Sequence, residues 1–139
     1  MAFKQSQLIQ ITNLIIIKRH QTEIIMAHQK FQDCIQACNA CATICSHCAT
    51  ECLKEEHLHH LTKCIQLDLE CAAICRSAVE LMSLESEFSA DLCKICSKIC
   101  KACAEECEKH AKMGMEHCRE CAEACYKCAT ICEEMALAV

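Results

Sequence analysis

The sequence has 139 residues, of which nineteen are cysteine, one is glycine and none is proline, and its formal net charge is −5. This length is sufficient for one domain with a modest core. The scarcity of glycine and proline favours an all-helical fold. The acidic charge, together with only three Phe and one Tyr, argues against a nucleic-acid-binding surface. So many cysteines indicate disulfides in a secreted chain or metal binding in a cytosolic one.

The first segment of the chain contains no cysteine. Residues 1–27 are interpreted as an N-terminal amphipathic helical extension, and residues 28–139 as the cysteine-lined domain. The apolar run LIQITNLIII (8–17) is interrupted by polar residues and is too short to span a bilayer. KRHQTE follows it, where a signal peptide would have small residues at a cleavage site. We therefore expect a cytoplasmic protein with no membrane partner, with an oligomer contact as one role for the extension.

The cysteines of the second part follow a helical repeat. In CIQACNACATICSHCATEC (34–52) successive cysteines are four and three residues apart. Strict alternation of these steps gives a period of 3.5 and places the side chains on one face of a helix. All nineteen occupy a or d positions in four segments, namely Cys34, Cys38, Cys41, Cys45, Cys48, Cys52, then Cys64, Cys71, Cys75, then Cys93, Cys96, Cys100, Cys103, Cys107, then Cys118, Cys121, Cys125, Cys128 and Cys132.

Polar junctions separate these segments. They are LKEEH (53–57), LESEF (84–88) and KMGME (112–116), and Gly114 in the last is suited to end a helix. Short connections make neighbouring helices antiparallel, so the predicted fold is an all-α, up-down-up-down four-helix bundle with an N-terminal helical extension. Four isoleucines precede a-position cysteines and are expected to seal the bundle beside the thiols, at Ile44, Ile74, Ile99 and Ile131.

Two structural explanations of the cysteines fit the pattern poorly. A free cysteine is often a small buried hydrophobic residue, but this does not explain why every cysteine lies at a core position. Cysteines three or four apart on one helix have side chains that point along the same face, which is poor geometry for a disulfide. An odd number of cysteines also leaves at least one without a partner.

Metal binding is the remaining explanation, and the spacing of the cysteines along the helices indicates which metal they would bind. Iron–sulfur clusters need a compact loop around four thiolates, and structural zinc needs four convergent ligands with clear boundaries. Cu(I) is soft, prefers thiolates and accepts two or three of them, so a continuous row of thiols suits multiple Cu(I) ions per chain. A general thiolate sink for zinc or other soft metals and a thiol redox protein remain the alternatives. No catalytic role is expected.

The cysteine segments resemble a known family. HHLTKCIQLDLECAAIC (59–75), CKICSKICKACAEECEKH (93–110) and HCRECAEACYKCATIC (117–132) are similar to segments of the cytosolic copper storage proteins, and the similarity extends over about residues 28–136. The resemblance implies a soluble homotetramer that stores Cu(I) on thiolates inside each bundle. A store of this kind would keep copper available for copper enzymes, so a copper chaperone or a copper enzyme is the expected partner besides the copper ions.

Several histidines and methionines cluster near two of the junctions. In an antiparallel bundle the first and third junctions lie at the same end. Extending the heptads places His57 and His110 at d, in line with the thiols. Neutral imidazole and thioether groups bind Cu(I) more exchangeably than thiolates, as entrance ligands should. The predicted entrance ligands are His57, His59, His60, His110, His117 and Met113.

One carboxylate interrupts the row of thiols. Asp68 lies at an a position between Cys64 and Cys71, and a buried carboxylate is costly without a partner. It is predicted either to hydrogen-bond to a thiol, histidine or backbone group, or to bring an oxygen close to copper. Met82 and Met135 extend the heptads at the opposite end, where they are expected to fill the core.

Overall fold

The computed structural model describes residues 2–138, with side chains from residue 4 onward. It contains four α-helices, which are α1 (Ala2–Cys52), α2 (Thr62–Ser83), α3 (Ser89–Ala111) and α4 (Glu116–Ala138). A short 3-10 helix, Leu58–His60, lies between α1 and α2. The described residues include no strand, and the all-helical prediction is confirmed.

The chain divides into two compact units, Met1–Lys30 and Phe31–Val139. In the first unit the large aliphatic side chains between Leu8 and Met26 are exposed. Over the part of the chain that is described, no helix combines the length and the apolar character needed to cross a membrane. The boundary expected between residues 27 and 28 stays a prediction.

Contacts between thiols define the topology of the second unit. Along α1 and α4, Cys34 Sγ lies 3.5 Å from Cys132 Sγ, and Cys48 Sγ lies 3.9 Å from Cys118 Sγ. The sequence order is reversed between these two contacts, so α1 and α4 are antiparallel. The same reversal relates α2 and α3, where Cys64 pairs with Cys107 at 3.6 Å and Cys75 with Cys96 at 3.7 Å. The predicted up-down-up-down bundle is confirmed.

Small and branched residues flank the cysteines in a regular way. Alanine follows many d-position cysteines and is buried, as at Ala42, Ala72, Ala104, Ala122 and Ala129. The four isoleucines that precede a-position cysteines are half-buried and pack against the core. Small side chains let neighbouring helices approach closely, because the distance between helix axes depends on the residues at the contact. The isoleucines therefore supply apolar burial that the thiols do not.

The bundle has two chemically different ends. We call the end formed by residues 53–61 and 112–115 the histidine end, because His110 and His117 lie there. The opposite end, where residues 84–88 join α2 to α3, is called the methionine end. Met82 and Met135 are both buried there, and the Cys93 thiol donates to Met82 Sδ at 3.8 Å.

Helices α2 and α3 end in the same motif with different residues. After α3, Met115 N donates to His110 O and Gly114 N donates to Ala111 O, with Gly114 at φ 95°. After α2, Ser86 N donates to Leu81 O and Glu85 N donates to Met82 O, with Glu85 at φ 51°. Both are Schellman motifs, which need a left-handed residue and favour glycine. Glu85 is the only non-glycine residue with positive φ in the described chain.

Introducing glycine at position 85 and replacing it at position 114 should therefore change the free energy of unfolding in opposite directions. We expect Glu85→Gly to raise the free energy of unfolding by about 1 kcal/mol, and Gly114→Ala to lower it by about 1 kcal/mol. The loss expected at Gly114 comes from its backbone conformation and not from a steric clash, because a Cβ there would meet no atom within 4 Å. Guanidinium unfolding of the reduced, metal-free protein measures both changes. The control is Glu87→Gly, at an exposed position without positive φ; an equal gain there would refute the explanation.

Candidate metal centre

All nineteen cysteines lie in the described part of the chain, and each is free and completely buried. Their sulfur atoms form a continuous network between helices. Cys71 Sγ lies 3.3 Å from Cys100 Sγ, and Cys45 Sγ lies 3.4 Å from Cys125 Sγ. The thiols are thus close enough to share metal ions along the whole bundle.

The thiols form several groups that could each hold a metal ion. One group takes a cysteine from each helix, Cys38, Cys75, Cys96 and Cys128, with all four sulfurs within 4.8 Å of one another. Further along the core, Cys41 belongs to two such groups. Other cysteines are also shared between two groups, namely Cys45, Cys71, Cys75 and Cys125. Because groups share ligands, they cannot all be filled as separate four-cysteine sites, and full occupancy requires sulfurs that bridge two ions.

The network changes the acidity of individual thiols. Hydrogen bonds with Cys128 and then with other thiols, together with burial, raise the pKa of Cys38. Hydrogen bonds with Cys103 and Cys107 lower the pKa of Cys121, against the opposing effect of burial. Many buried thiolates cannot coexist without cations because of the cost of burying charge. The metal-free core therefore holds mostly protonated thiols, and binding of a soft cation releases protons.

Asp68 lies inside the thiol network and is completely buried. Its Oδ1 accepts hydrogen bonds from Cys103 at 3.2 Å, Cys121 at 3.2 Å and Cys107 at 3.5 Å, and its Oδ2 lies 3.9 Å from Cys64 Sγ. Burial, and then the nearby Cys121, Cys103 and Cys64, raise the pKa of Asp68 to about 11. Asp68 is therefore a neutral carboxylic acid at pH 7 that links thiols of three helices.

His110 lies at the histidine end, at the d position predicted from the sequence, and is buried. Its Nε2 lies 3.4 Å from Glu106 Oε1, whereas its Nδ1 is buried with no hydrogen-bond partner. Glu106 is also buried and pairs with Lys109 Nζ at 2.8 Å and Lys63 Nζ at 3.6 Å. Burial opposes its ionisation, but the hydrogen bond and charge of Lys109 lower the pKa of Glu106 overall.

His117 is half-buried at the same end and faces the thiols directly. Its Nδ1 lies 3.5 Å from Cys118 Sγ, 3.6 Å from Cys48 Sγ and 3.9 Å from Cys52 Sγ. Its Nε2 lies 3.1 Å from Glu55 Oε1. One imidazole nitrogen thus faces three candidate ligands, and the other faces a carboxylate.

The remaining predicted entrance residues lie at the surface. His57, His59 and His60 are exposed, and the rings of His59 and His60 are 3.9 Å apart between centroids. The heptad of α2, extended towards the N-terminus, places His57 at d, but α2 begins only at Thr62 and His57 lies in the connection just before the 3-10 helix. The prediction that His57 lies in line with the thiols is therefore wrong. Met113 is exposed as well.

Sequence reasoning did not single out the two carboxylates behind the histidines. Outer-face Glu and Lys residues are normally solvated, yet Glu106 is 7% exposed. The spacing of four residues between Glu106 and His110 was the available signal, since such pairs meet on a helix. Glu55 meets His117 across 62 residues of sequence, and no local pattern indicates that contact.

Comparison with known proteins identifies relatives of this arrangement. The model of the Csp family, copper storage protein, matches residues 27–137. A Bacillus subtilis (strain 168) protein named uncharacterized cysteine-rich protein YhjQ is 47% identical over 65 residues. That match covers 47% of this chain and 54% of the relative, so the chain matches about half the length of that curated protein.

Solved structures agree over a longer part of the chain. Apo copper storage protein 3 from Bacillus subtilis is 48% identical, with a TM-score of 0.70 over 76% of this chain and 97% of that one. Cu(I)-bound BsCsp3 is 47% identical, with a TM-score of 0.72 over 77% of this chain and 98% of that one. A cytosolic copper storage protein from Streptomyces lividans with five coppers is 36% identical, with a TM-score of 0.78 over 81% of this chain and 96% of that one. The resemblance predicted from the cysteine segments is confirmed, and the chain belongs to the copper storage protein family.

Proposed function

We propose that this protein stores Cu(I) and binds many ions at once on the thiolates of its bundle core. The single observation that carries the proposal is that neighbouring four-thiol groups share their cysteines. Shared sulfurs must bridge ions, and Cu(I) accommodates two or three bridging thiolates. Family membership supports the choice of metal, because two of the similar solved structures hold copper.

The alternatives account for the core less well. Structural zinc sites are closed, four-coordinate units with their own ligands, whereas here Cys41, Cys71 and Cys75 each serve two groups. A redox-active thiol needs access to its partner, whereas every cysteine here is fully buried. A zinc sink and a thiol redox role are therefore the less favoured functions.

The ligand assignment follows from position along the bundle. We assign the nineteen cysteines as Cu(I) ligands and His110 and His117 as additional ligands at the histidine end. His57, His59, His60 and Met113 are assigned a weaker role in capturing copper at the surface of that end. Asp68 is assigned to the interior of the cluster, where it hydrogen-bonds to the thiols of unfilled positions.

Competition between metals tests the proposal. The reduced protein is titrated anaerobically with Cu(I) after saturation with Zn²⁺, and the released zinc is measured with a chromophoric indicator. We expect Cu(I) to displace all bound zinc, with thiolate-to-copper absorption rising throughout the titration. Retention of zinc at equal concentrations of the two ions would favour the general metal sink.

The protein's setting is part of the same proposal. We place it in the cytoplasm as a homotetramer that exchanges copper with a chaperone or a copper enzyme. The similar Streptomyces protein is a cytosolic copper storage protein, and exposed aliphatic side chains between Leu8 and Met26 are available for self-association. Sedimentation velocity of the full chain measures the assembly, and a monomer at micromolar concentration would contradict the tetramer.

A further inference from the structure

The two inner histidines at the histidine end share one arrangement. Each has Nε2 facing a glutamate, Glu106 for His110 and Glu55 for His117. In each ring Nδ1 lies on the side away from the glutamate, and no N–H or O–H group in the described part of the chain donates a hydrogen bond to it. His110 Nδ1 is buried without a hydrogen-bond partner, and the only contacts of His117 Nδ1 among the described residues are thiols.

The glutamates determine which ring nitrogen carries the proton. A carboxylate has no proton to donate, so a neutral imidazole that hydrogen-bonds to it must hold its proton on Nε2. The charges of Lys109 and Lys63 keep Glu106 in the acceptor form. The Nδ1 atom then has a lone pair and no hydrogen. A buried, unpaired lone pair is unusual in a folded protein, and the common explanations include an absent ion.

We propose that Glu106 and Glu55 are positioning residues that hold His110 and His117 in the tautomer with the proton on Nε2, so that each Nδ1 presents a lone pair to Cu(I). This inference rests on the proposed function. Metal-binding histidines generally donate their other N–H to a carboxylate, which fixes the ring and makes the ligand more basic. The two glutamates would thereby strengthen copper binding at one end of the core without touching the metal.

The arrangement has a consequence for where copper is held. At the methionine end, the described residues of the second unit include no histidine between Phe31 and Cys45, between Cys75 and Cys100 or from Cys125 onward, and Cys93 donates to the thioether of Met82. Imidazole bound through Nδ1 would complete ligand sets that include Cys48, Cys52 and Cys118 next to His117. Copper at the histidine end would therefore depend on the glutamates, whereas copper elsewhere in the core would not.

NMR of the metal-free protein tests the tautomers independently of copper. With isotopically labelled histidine, we expect His110 and His117 to show a proton on Nε2 only, with the Nε2–H of His110 protected from exchange. In Glu106→Ala the His110 Nε2–H should lose protection and a population with the proton on Nδ1 should appear. Glu106→Gln, whose amide oxygen still accepts, should be intermediate. Glu105→Gln, at an exposed position of the same helix, should match the wild type. A proton on Nδ1 of His110 in the wild type would overturn the proposal.

Copper retention tests the consequence. In Glu106→Ala we expect the affinity of the most weakly held Cu(I) to fall by roughly 10-fold to 100-fold, with total capacity reduced by no more than about one ion. In a His110→Ala background, Glu106→Ala should have no further effect, because Glu106 acts through His110. An equal loss in both backgrounds would contradict the positioning role. Glu55→Ala, compared in the same way with and without His117→Ala, gives a second and independent double-mutant cycle. A capacity of one or two ions in the wild type would instead be a failure of the storage function itself.

Discussion

Loading the metal-free protein with Cu(I) is expected to raise its midpoint of thermal unfolding by roughly 30 °C. A core of thiols buries less apolar surface than one of Leu and Ile, by about 0.8 kcal/mol for each missing CH₂. Each ion that binds only the native state adds about 2.7 kcal/mol at one hundred times its dissociation constant. Unfolded chains also bind copper through their thiols, so we expect a net gain on the order of 10 kcal/mol rather than the full sum.

Far-ultraviolet circular dichroism under anaerobic conditions measures this shift. The protein is compared in its reduced, metal-free form, after stepwise loading, and after copper is removed with a strong chelator. We expect the midpoint to rise with each addition and to return to the starting value after removal. Equal midpoints for the metal-free and loaded forms would mean that copper does not bind within the folded core.

The stability of the metal-free protein is expected to fall as pH rises, and Asp68 to be a main cause. Burial raises the pKa of Asp68 to about 11, whereas an aspartic acid in an unfolded chain has a pKa of about 3.9. Between these values the native state keeps a proton that the unfolded state releases. The stabilisation is thus complete below about pH 4 and is lost as pH rises towards the folded-state pKa, by at most about 1.4 kcal/mol per pH unit.

Asp68→Asn should remove this dependence, because an amide does not ionise and its oxygen can still accept from the thiols of Cys103 and Cys121. From about pH 5 to pH 8 we expect the wild type to lose roughly 4 kcal/mol more than Asp68→Asn does. Denaturant unfolding of the reduced protein with a chelator present gives both curves. Glu80→Gln, an exposed change on the same helix, should follow the wild type. Parallel curves for the wild type and Asp68→Asn would show that Asp68 ionises in the folded protein.

The regular part of the fold was predictable because it repeats. The steps of three and four between cysteines determine one buried face on each helix, and every cysteine lies on that face. Gly114 was predictable for a similar reason, since its left-handed backbone is what ends α3. By contrast, the heptad of α2 could not show that this helix begins only at Thr62, and so extending it towards the N-terminus placed His57 wrongly.

The chemistry of the site depended more on contacts between distant residues. The sequence showed that Asp68 had to find a partner, but its partners come from α2, α3 and α4 together. The contact of Glu55 with His117 arises only when α4 packs beside the connection that follows α1. Local spacing predicts which residues share a helix face, whereas such contacts depend on how the helices are arranged.

The most direct test of copper storage is to count the ions that the core holds. The reduced protein is titrated anaerobically with Cu(I) against a competing chromophoric chelator. The fully buried thiols and their shared ligand groups predict tight binding that continues beyond about ten ions and approaches roughly one copper per cysteine. Saturation at one or two copper ions per chain would contradict storage in the bundle core.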